Sequence, residues 1–370
     1  MSLTWLEISK SALLNNVAQI KKQLSKKTKF IAVVKSNAYG HGMLEVVSQL
    51  KNHVDYFASY HFEDTLLLRK NKITKPILAL GRVLPEQVEL AIKNNIELSI
   101  SNLDILQKMQ KVSTKKKLVI HLCVDTGFGR DGFVASDMPQ VLQLIKSKNI
   151  EVKALYTHFA ASDSKAFNTY SKKQIAELMR WKKALAEIGI KPLNHASSTS
   201  ATFISEFETH FDMVRIGGGL YGFWSSKEVA ERNQKTAKLQ QVLSWKAKIV
   251  ELKNLQKGSH ISYGCTFTLQ RDSKIAILPV GYFDGIPRIS SGKGHVLVNG
   301  IKAPQLGRVT MNMIVIDVTD VKKVNVGDVA TVIGKDKKDV VSAEDWGDWA
   351  GSFNYEITTR LSANLPRKVV

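Results

Sequence analysis

Residues 30–42 read FIAVVKSNAYGHG, an apolar run that ends on a lysine. Phe30 to Val34 is short and rich in β-branched residues, the composition of a strand buried on both faces. Lys35 follows at once. Then comes Ser-Asn-Ala-Tyr-Gly-His-Gly, whose small and turn-forming residues predict a tight loop leading to a helix. A lysine placed there has two meanings. Lysine is rarely buried, so it can simply cap the strand at the surface. It can also be an amine held at the mouth of a core strand, where partial desolvation lowers its pKa and makes it a nucleophile or base.

Similar runs recur at 56–59, 76–80, 97–100, 118–124, 152–157, 192–195 and 213–217. Between them lie amphipathic segments such as MLEVVSQLKN, PEQVELAIKNN and LDILQKMQK, with apolar residues at helical spacing. Eight strands alternating with helices over residues 1–240 predict an α/β chain with an N-terminal (β/α)8 barrel. A doubly wound open sheet competes, but no GxGxxG follows the first strand. Beyond residue 240 the pattern changes to WKAKIVEL, KIAILPV, HVLVNGIKA, MIVIDV and DVATVIG, short strands broken by Gly and Asp turns. Residues 241–370 are therefore expected to form a mostly β C-terminal domain. The charged stretch KEVAERNQKTAKLQQ before it reads as a helix leading into that domain.

The chain has 370 residues and is 44% hydrophobic, enough for about two domains and a large core. Its net charge of +20 would permit nucleic-acid binding, but the lysines are scattered and no aromatic residues are interleaved with them. No nucleic-acid partner is expected. No apolar run approaches the ~18 residues of a membrane span. The N-terminus does not look like a signal peptide, and Cys123 and Cys265 are too few for a disulfide framework. A cytoplasmic location is expected.

Barrel enzymes carry their chemistry at the carboxyl ends of the strands. Lys35 and Tyr39 follow the first strand here, and DTGFGRDGF, with Arg130, follows the fifth. The sixth ends in YTHF, with His158, and the seventh opens into HASSTSAT, with His195, Ser198 and Thr199. The eighth gives VRIGGGLYG, with Arg215 and Gly217. Any one of these has an ordinary structural explanation: a hydrogen-bonded histidine, a tight glycine turn. Together they fall at one end of a single barrel. A Ser/Thr-rich loop after strand seven and glycines after strand eight match the usual barrel phosphate site. A lysine able to form a Schiff base beside such a site points to pyridoxal 5′-phosphate (PLP), with an arginine available to the ring nitrogen. No metal site is expected.

The sequence resembles the PLP-dependent alanine racemases over nearly its whole length. The resemblance is carried by AVVKSNAYGHG, VDTGFGRDGF, YTHFA, FDMVRIGGGLYG, ISYGCTF, PVGYFDGIPR and NYEITTRLSANLPR. It implies a barrel joined to a C-terminal β domain, and a homodimer in which each site takes residues from both chains. It also implies a small amino-acid substrate, alanine first, with the D-alanine going to cell-wall peptidoglycan. By resemblance, Lys35 carries the PLP and is one acid/base, and Tyr263 of the neighbouring chain is the other. Arg215 faces the pyridine nitrogen, and His158 lies between Arg215 and Tyr263. Arg130 contacts the cofactor phenolate and the substrate carboxylate. Tyr39, Ser198, Thr199, Gly217 and Tyr355 surround the phosphate. Met311 reaches the substrate carboxylate from the neighbour, and Tyr282 and Arg288 line the entrance.

The sequence departs from the family pattern at a few places. Cys123 stands where the family commonly has a lysine, often carbamylated, that helps to position the arginine corresponding to Arg130. Thr310-Met311-Asn312 replaces Cys-Met-Asp, removing a negative charge beside the substrate. A serine or broad-specificity racemase is therefore an alternative. Two more distant ones, a barrel-type PLP decarboxylase and a non-enzymatic PLP carrier, fit ISYGCTF and NYE less well.

Overall fold

The computed structural model describes residues 2–110, 112, 116–203, 208–233 and 235–370. A first strand, β1 (Thr4–Ile8), precedes eight parallel ones: β2 (Lys29–Val33), β3 (Tyr56–Ser59), β4 (Ile77–Ala79), β5 (Ile96–Ile100), β6 (Leu118–Cys123), β7 (Ile150–Tyr156), β8 (Leu193–His195) and β9 (Met213–Ile216). Each pairs with the next, and β2 closes on β9 with Ile31 opposite Arg215. These eight form a closed barrel, and all lie within two residues of the runs expected to be strands.

The unbroken apolarity of β2 has a direct cause. Ile31 and Val33 point into the barrel, where they meet Tyr56, Ala58, Leu78, Ala154 and Met213. Phe30 and Ala32 point outward into the core shared with the covering helices. Alternate residues leave for opposite faces, and both faces are dry. On the far side of the barrel Leu98, Ile120, Leu122 and Leu155 pack against Ile105, Leu178 and Trp181 of the helices.

The chain then builds a ten-stranded sheet. Its order is Glu251–Leu255, Ser273–Leu278, Ile314–Asp317, Ile301–Leu306, His295–Val298, Val329–Asp336, Leu243–Lys248, β1 and Arg367–Val369, with Asp339–Val341 off this path. β1 was not among the expected strands. It is antiparallel to Leu243–Lys248 and parallel to Arg367–Val369, partners more than 230 residues away. Five residues with only Leu6 and Ile8 buried are too short a signal to read without those partners. Leu6 and Ile8 enter the same core as Phe30 and Trp245, so barrel and sheet share one continuous apolar interior.

The expected helix over 227–241 is corrected. Helix Lys227–Asn233 ends where Thr236 and Ala237 donate back to the Asn233 carbonyl, and Gln234 lies outside the described residues. Further on, both backbone groups of Gln240 are taken by the buried Asn16 side chain, at 2.7 and 2.8 Å. A helix there would have to give up those bonds.

Candidate active site

The carboxyl ends of the barrel strands surround a cavity of about 630 Å³. Lys35, Tyr39, Arg130, His158, Ser198, Thr199, Arg215, Gly217 and Tyr355 all line it, together with Cys123 and Tyr156. The expected tight loop after β2 is a left-handed helical turn. Ser36, Asn37, Ala38 and Tyr39 all have φ between 52 and 55°. For L-residues this costs roughly 1–2 kcal/mol each. The turn is held by Ala38 N–H to Val34 O (2.9 Å), Gly40 N–H to Ser36 O (3.0 Å) and Gly42 N–H to Asn37 O (2.9 Å). The Asn37 side chain accepts from Met43 N–H at 2.8 Å and so starts helix Met43–Leu50. The strained turn holds Lys35 and Tyr39 at the cavity wall, the kind of strain that collects at functional sites.

Glycine is required at the other wall. A Cβ on Gly217 would strike the Tyr39 hydroxyl, and one on Gly218 the Tyr355 hydroxyl. Gly219 donates its N–H to Thr199 Oγ1 at 3.1 Å. Two phenols, the Thr199 hydroxyl and a glycine backbone that starts a 3₁₀ turn thus converge, a cradle suited to a phosphate. Burial and the adjacent Tyr355 push the Tyr39 phenol above the usual tyrosine range. Burial, Glu344 and Asp163 push Tyr355 up to about 12. Both remain O–H donors at neutral pH.

Burial, then the Arg130 and Arg215 charges, hold the Lys35 amine below the ordinary lysine value. Neutral amine is therefore available at lower pH than for a surface lysine, which a nucleophile or base needs. Arg215 is buried at the cavity wall, 7% exposed. Its Nη2 donates to Thr157 O at 2.7 Å and to His158 Nδ1 at 3.3 Å, and its Nη1 donates to His195 Nδ1. The guanidinium lies over the Tyr156 ring, 4.7 Å from its centroid. Because Nδ1 of His158 accepts, the ring proton of the neutral imidazole is on Nε2. Burial and the Arg215, Arg130 and Lys35 charges lower His158 to about 3, so it stays neutral.

Arg130 has local partners in place of a lysine on β6. Its Nε lies 3.2 Å from Asp131 Oδ2, and its guanidinium is 4.4 Å from the Phe128 ring centroid. The loop carrying it is shaped by Asp125, whose carboxylate accepts from Gly127, Phe128 and Gly129 N–H at 2.8 to 3.1 Å. Cys123 donates to Asp131 O at 3.6 Å, and burial raises its thiol to about 11. It is a neutral strut under the loop.

Of the C-terminal residues, Tyr355 joins this cavity within one chain, whereas Tyr263 and Met311 do not line it. Tyr263 is 71% exposed and Met311 is 54% exposed. Ser262 Oγ donates to Arg308 O at 2.7 Å, which ties the Tyr263 turn to the segment before Thr310. Tyr282 and Phe283 N–H donate to Thr310 and Met311 O, both at 3.0 Å. Thr310 Oγ1 closes its own loop by accepting from Met313 N–H at 3.2 Å and donating to Met313 O at 2.9 Å. Tyr263, Met311, Met313, Tyr282 and Phe283 are thus fastened together and exposed. Tyr282 and Arg288 line a second hollow with Glu356 and Arg360.

Sequence reasoning missed Glu97, His121, Ser99 and Tyr156. Tyr156 stacks on His195 at 4.6 Å and 6°, and its hydroxyl meets that of Ser99 at 2.5 Å. The available signal was a polar residue inside each of several otherwise apolar strands.

Buried histidines set an acid limit on stability. His41 and His158 are each lowered to about 3, and His195 lies well below its usual value, burial being the first cause for all three. Unfolding lets each bind a proton below pH 6.5, so the stability tied to their neutral forms is present above 6.5 and lost as pH falls toward 3. At pH 5.5 each costs about 1 kcal/mol relative to pH 7.5. The urea midpoint should drop over that interval, before most carboxylates titrate; equal midpoints would contradict the burial.

A closed barrel with an amine, a phosphate-type cradle and a buried guanidinium at its carboxyl end, joined to a β domain, defines a barrel enzyme able to hold a small phosphorylated molecule against a reactive amine. The comparisons narrow this. The family model described as Alanine racemase, N-terminal domain, matches residues 8–224, and Alanine racemase, C-terminal domain, matches 242–369. The alanine racemase of Methanococcus maripaludis is 40% identical, with 98% of this chain and 97% of that protein covered. That of Halothermothrix orenii is 38% identical over 99% and 96%. The structure of the Bacillus anthracis alanine racemase with bound L-Ala-P superimposes with a TM-score of 0.91 at 30% identity, covering 100% of this chain and 95% of that one. That of Clostridium difficile 630 gives 0.92 at 32%, over 99% and 95%. The chain belongs to the alanine racemase family, and it is an isomerase.

Proposed function

We propose that the chain interconverts L- and D-alanine with PLP carried on Lys35, in a homodimer whose two sites each use both chains. Residues 1–240, joined by Tyr355 of the same chain, bind the cofactor, and Tyr263 and Met311 on residues 241–370 complete the neighbour's site. The observation that carries this is the meeting of a lowered-pKa lysine with the Tyr39, Thr199, Gly217 and Tyr355 cradle in one cavity. The donor set fits the group: an amine for the aldehyde, hydroxyls and glycine backbone for the phosphate, and Arg215 for the ring nitrogen.

Bound there, PLP would supply the electron sink for the charge left when the α-proton departs. Lys35, freed as an amine once the substrate's own amino group takes its place on the aldehyde, removes or returns that proton on one face. Tyr263 of the second copy does so on the opposite face, which inverts the centre. His158, its Nε2–H free to donate toward the Tyr263 oxygen, favours the phenolate while staying neutral itself. Arg130, steadied by Asp131 and Phe128, holds the substrate carboxylate. Arg215, which can only donate, would meet the ring nitrogen as an acceptor and so would favour its unprotonated form, which would restrain transamination. Support for the second copy comes from exposed Tyr263, Met311, Met313 and Phe283, a joined apolar surface uncommon on a monomer.

Alanine is the expected substrate, since Tyr355 and Tyr263 leave room for little beyond a methyl. Asn312, where an aspartate is usual, admits serine as a second reading, because a pocket rejects a substrate that merely adds a hydroxyl by only about 10²-fold. A cytoplasmic enzyme supplying D-alanine for peptidoglycan is the setting that fits. Incubation with L-alanine, L-serine and L-lysine, then chiral chromatography, should show alanine racemised with the highest kcat/KM. Preference for lysine would overturn the substrate assignment.

A further inference from the structure

Resting on the assignment of Arg215 to the cofactor ring, we propose that Glu97, His121 and His195 form a one-way hydrogen-bond relay that crosses the barrel interior and holds the Arg215 guanidinium in its working orientation. Four different barrel strands, β5, β6, β8 and β9, each contribute one member. Glu97 Oε2 lies 2.7 Å from His121 Nε2, His121 Nδ1 lies 2.9 Å from His195 Nε2, and His195 Nδ1 meets Arg215 Nη1. Both histidines are completely buried, and the Glu97 side chain is 14% exposed.

Hydrogen-bond chemistry gives the chain its direction. A guanidinium has only donors, so His195 Nδ1 must accept. The His195 proton is therefore on Nε2 and is donated to His121 Nδ1. His121 in turn carries its proton on Nε2 and donates it to Glu97, whose carboxylate can only accept. Every link points away from Arg215, and both rings are neutral. No carboxylate pairs directly with Arg215 among the described residues, so Glu97 is the one that this chain connects to it. The stacking of Tyr156 on His195 fixes the plane of the middle ring. If His195 carried its proton on Nδ1, two N–H groups would face each other and drive the guanidinium from its place. Glu97, His121 and His195 are thus positioning residues that act through Arg215.

The test uses the full-length protein labelled with ¹⁵N-histidine, with and without added PLP. The imidazole nitrogen shifts of His121 and His195, assigned by their loss in single variants, should report the neutral Nε2–H form in both rings between pH 6 and 8. An Nδ1–H form or an imidazolium at His195 would overturn the relay. This measurement needs no turnover, so a failed racemase assignment would leave it standing. Two substitutions then separate relay from packing. His121→Gln can accept from His195 and donate to Glu97, whereas His121→Leu can do neither. His121→Leu should lose about tenfold or more in kcat, as expected for a bond serving a charged group, with a smaller change in KM for alanine. It should also shift the absorbance of the bound cofactor. His121→Gln should recover most of both. Equal kinetics and spectra for the two variants would show that the relay does not act on Arg215.

Discussion

Lys35→Ala should abolish racemisation, lowering kcat/KM by ~10⁴-fold or more, the upper end for a single positioned acid/base, because covalent attachment is lost as well. The residue follows β2 at the cavity wall, and its amine is held below the usual lysine value by burial, Arg130 and Arg215. The left-handed turn that carries it is closed by backbone bonds and the Asn37 side chain, none of which uses the Lys35 side chain. The variant should therefore fold normally. In the unsubstituted protein, borohydride should trap PLP on the peptide containing Lys35. Label on another lysine, or activity surviving in the variant, would remove Lys35 from the mechanism.

Tyr263→Phe should lower kcat/KM by at least ~10²-fold, the low end for loss of an acid/base. Tyr263 is 71% exposed within one chain, so deleting its hydroxyl leaves no hole and breaks no internal bond. Its turn is built from positive φ at Ser262, Gly264 and Cys265, with Ser262 anchored to Arg308, and none of this depends on the phenol. L- and D-alanine have equal free energies, so kcat/KM must fall by the same factor in both directions. The two enantiomers should differ in another respect. With Lys35 intact, one of them should still exchange its α-hydrogen with solvent, and the other should not. Near-normal turnover both ways would show that the tyrosine is no base.

The barrel was legible in the sequence because both faces of most of its strands are dry. Eight apolar runs separated by amphipathic stretches, with no GxGxxG after the first, favour a barrel over an open doubly wound sheet. β1 was not legible, since its meaning lies in partners at Leu243–Lys248 and Arg367–Val369 that no local pattern announces. The residues around the cavity could be anticipated because they sit at strand ends, where the barrel always gathers them. Glu97 and His121 escaped notice for the opposite reason. Each is a polar residue inside an otherwise apolar strand, Glu97 two places before Ser99, and their partnership exists only once β5, β6, β8 and β9 curve round to face one another. The setting of Arg130 was likewise hidden. Cys123 left a gap in the family pattern, whereas the contacts that steady the arginine come from its neighbours Asp131 and Phe128.

The claim that two bases from two chains meet in one site is tested most directly by mixing Lys35→Ala and Tyr263→Phe chains and isolating the mixed dimers. In such a dimer one site receives both defects and the other receives neither. The isolated mixed dimers should therefore have about half of the unsubstituted activity, since one of their two sites is sound, and the unfractionated mixture, half of it mixed, about a quarter. Mixed dimers as inactive as either parent would contradict the shared site.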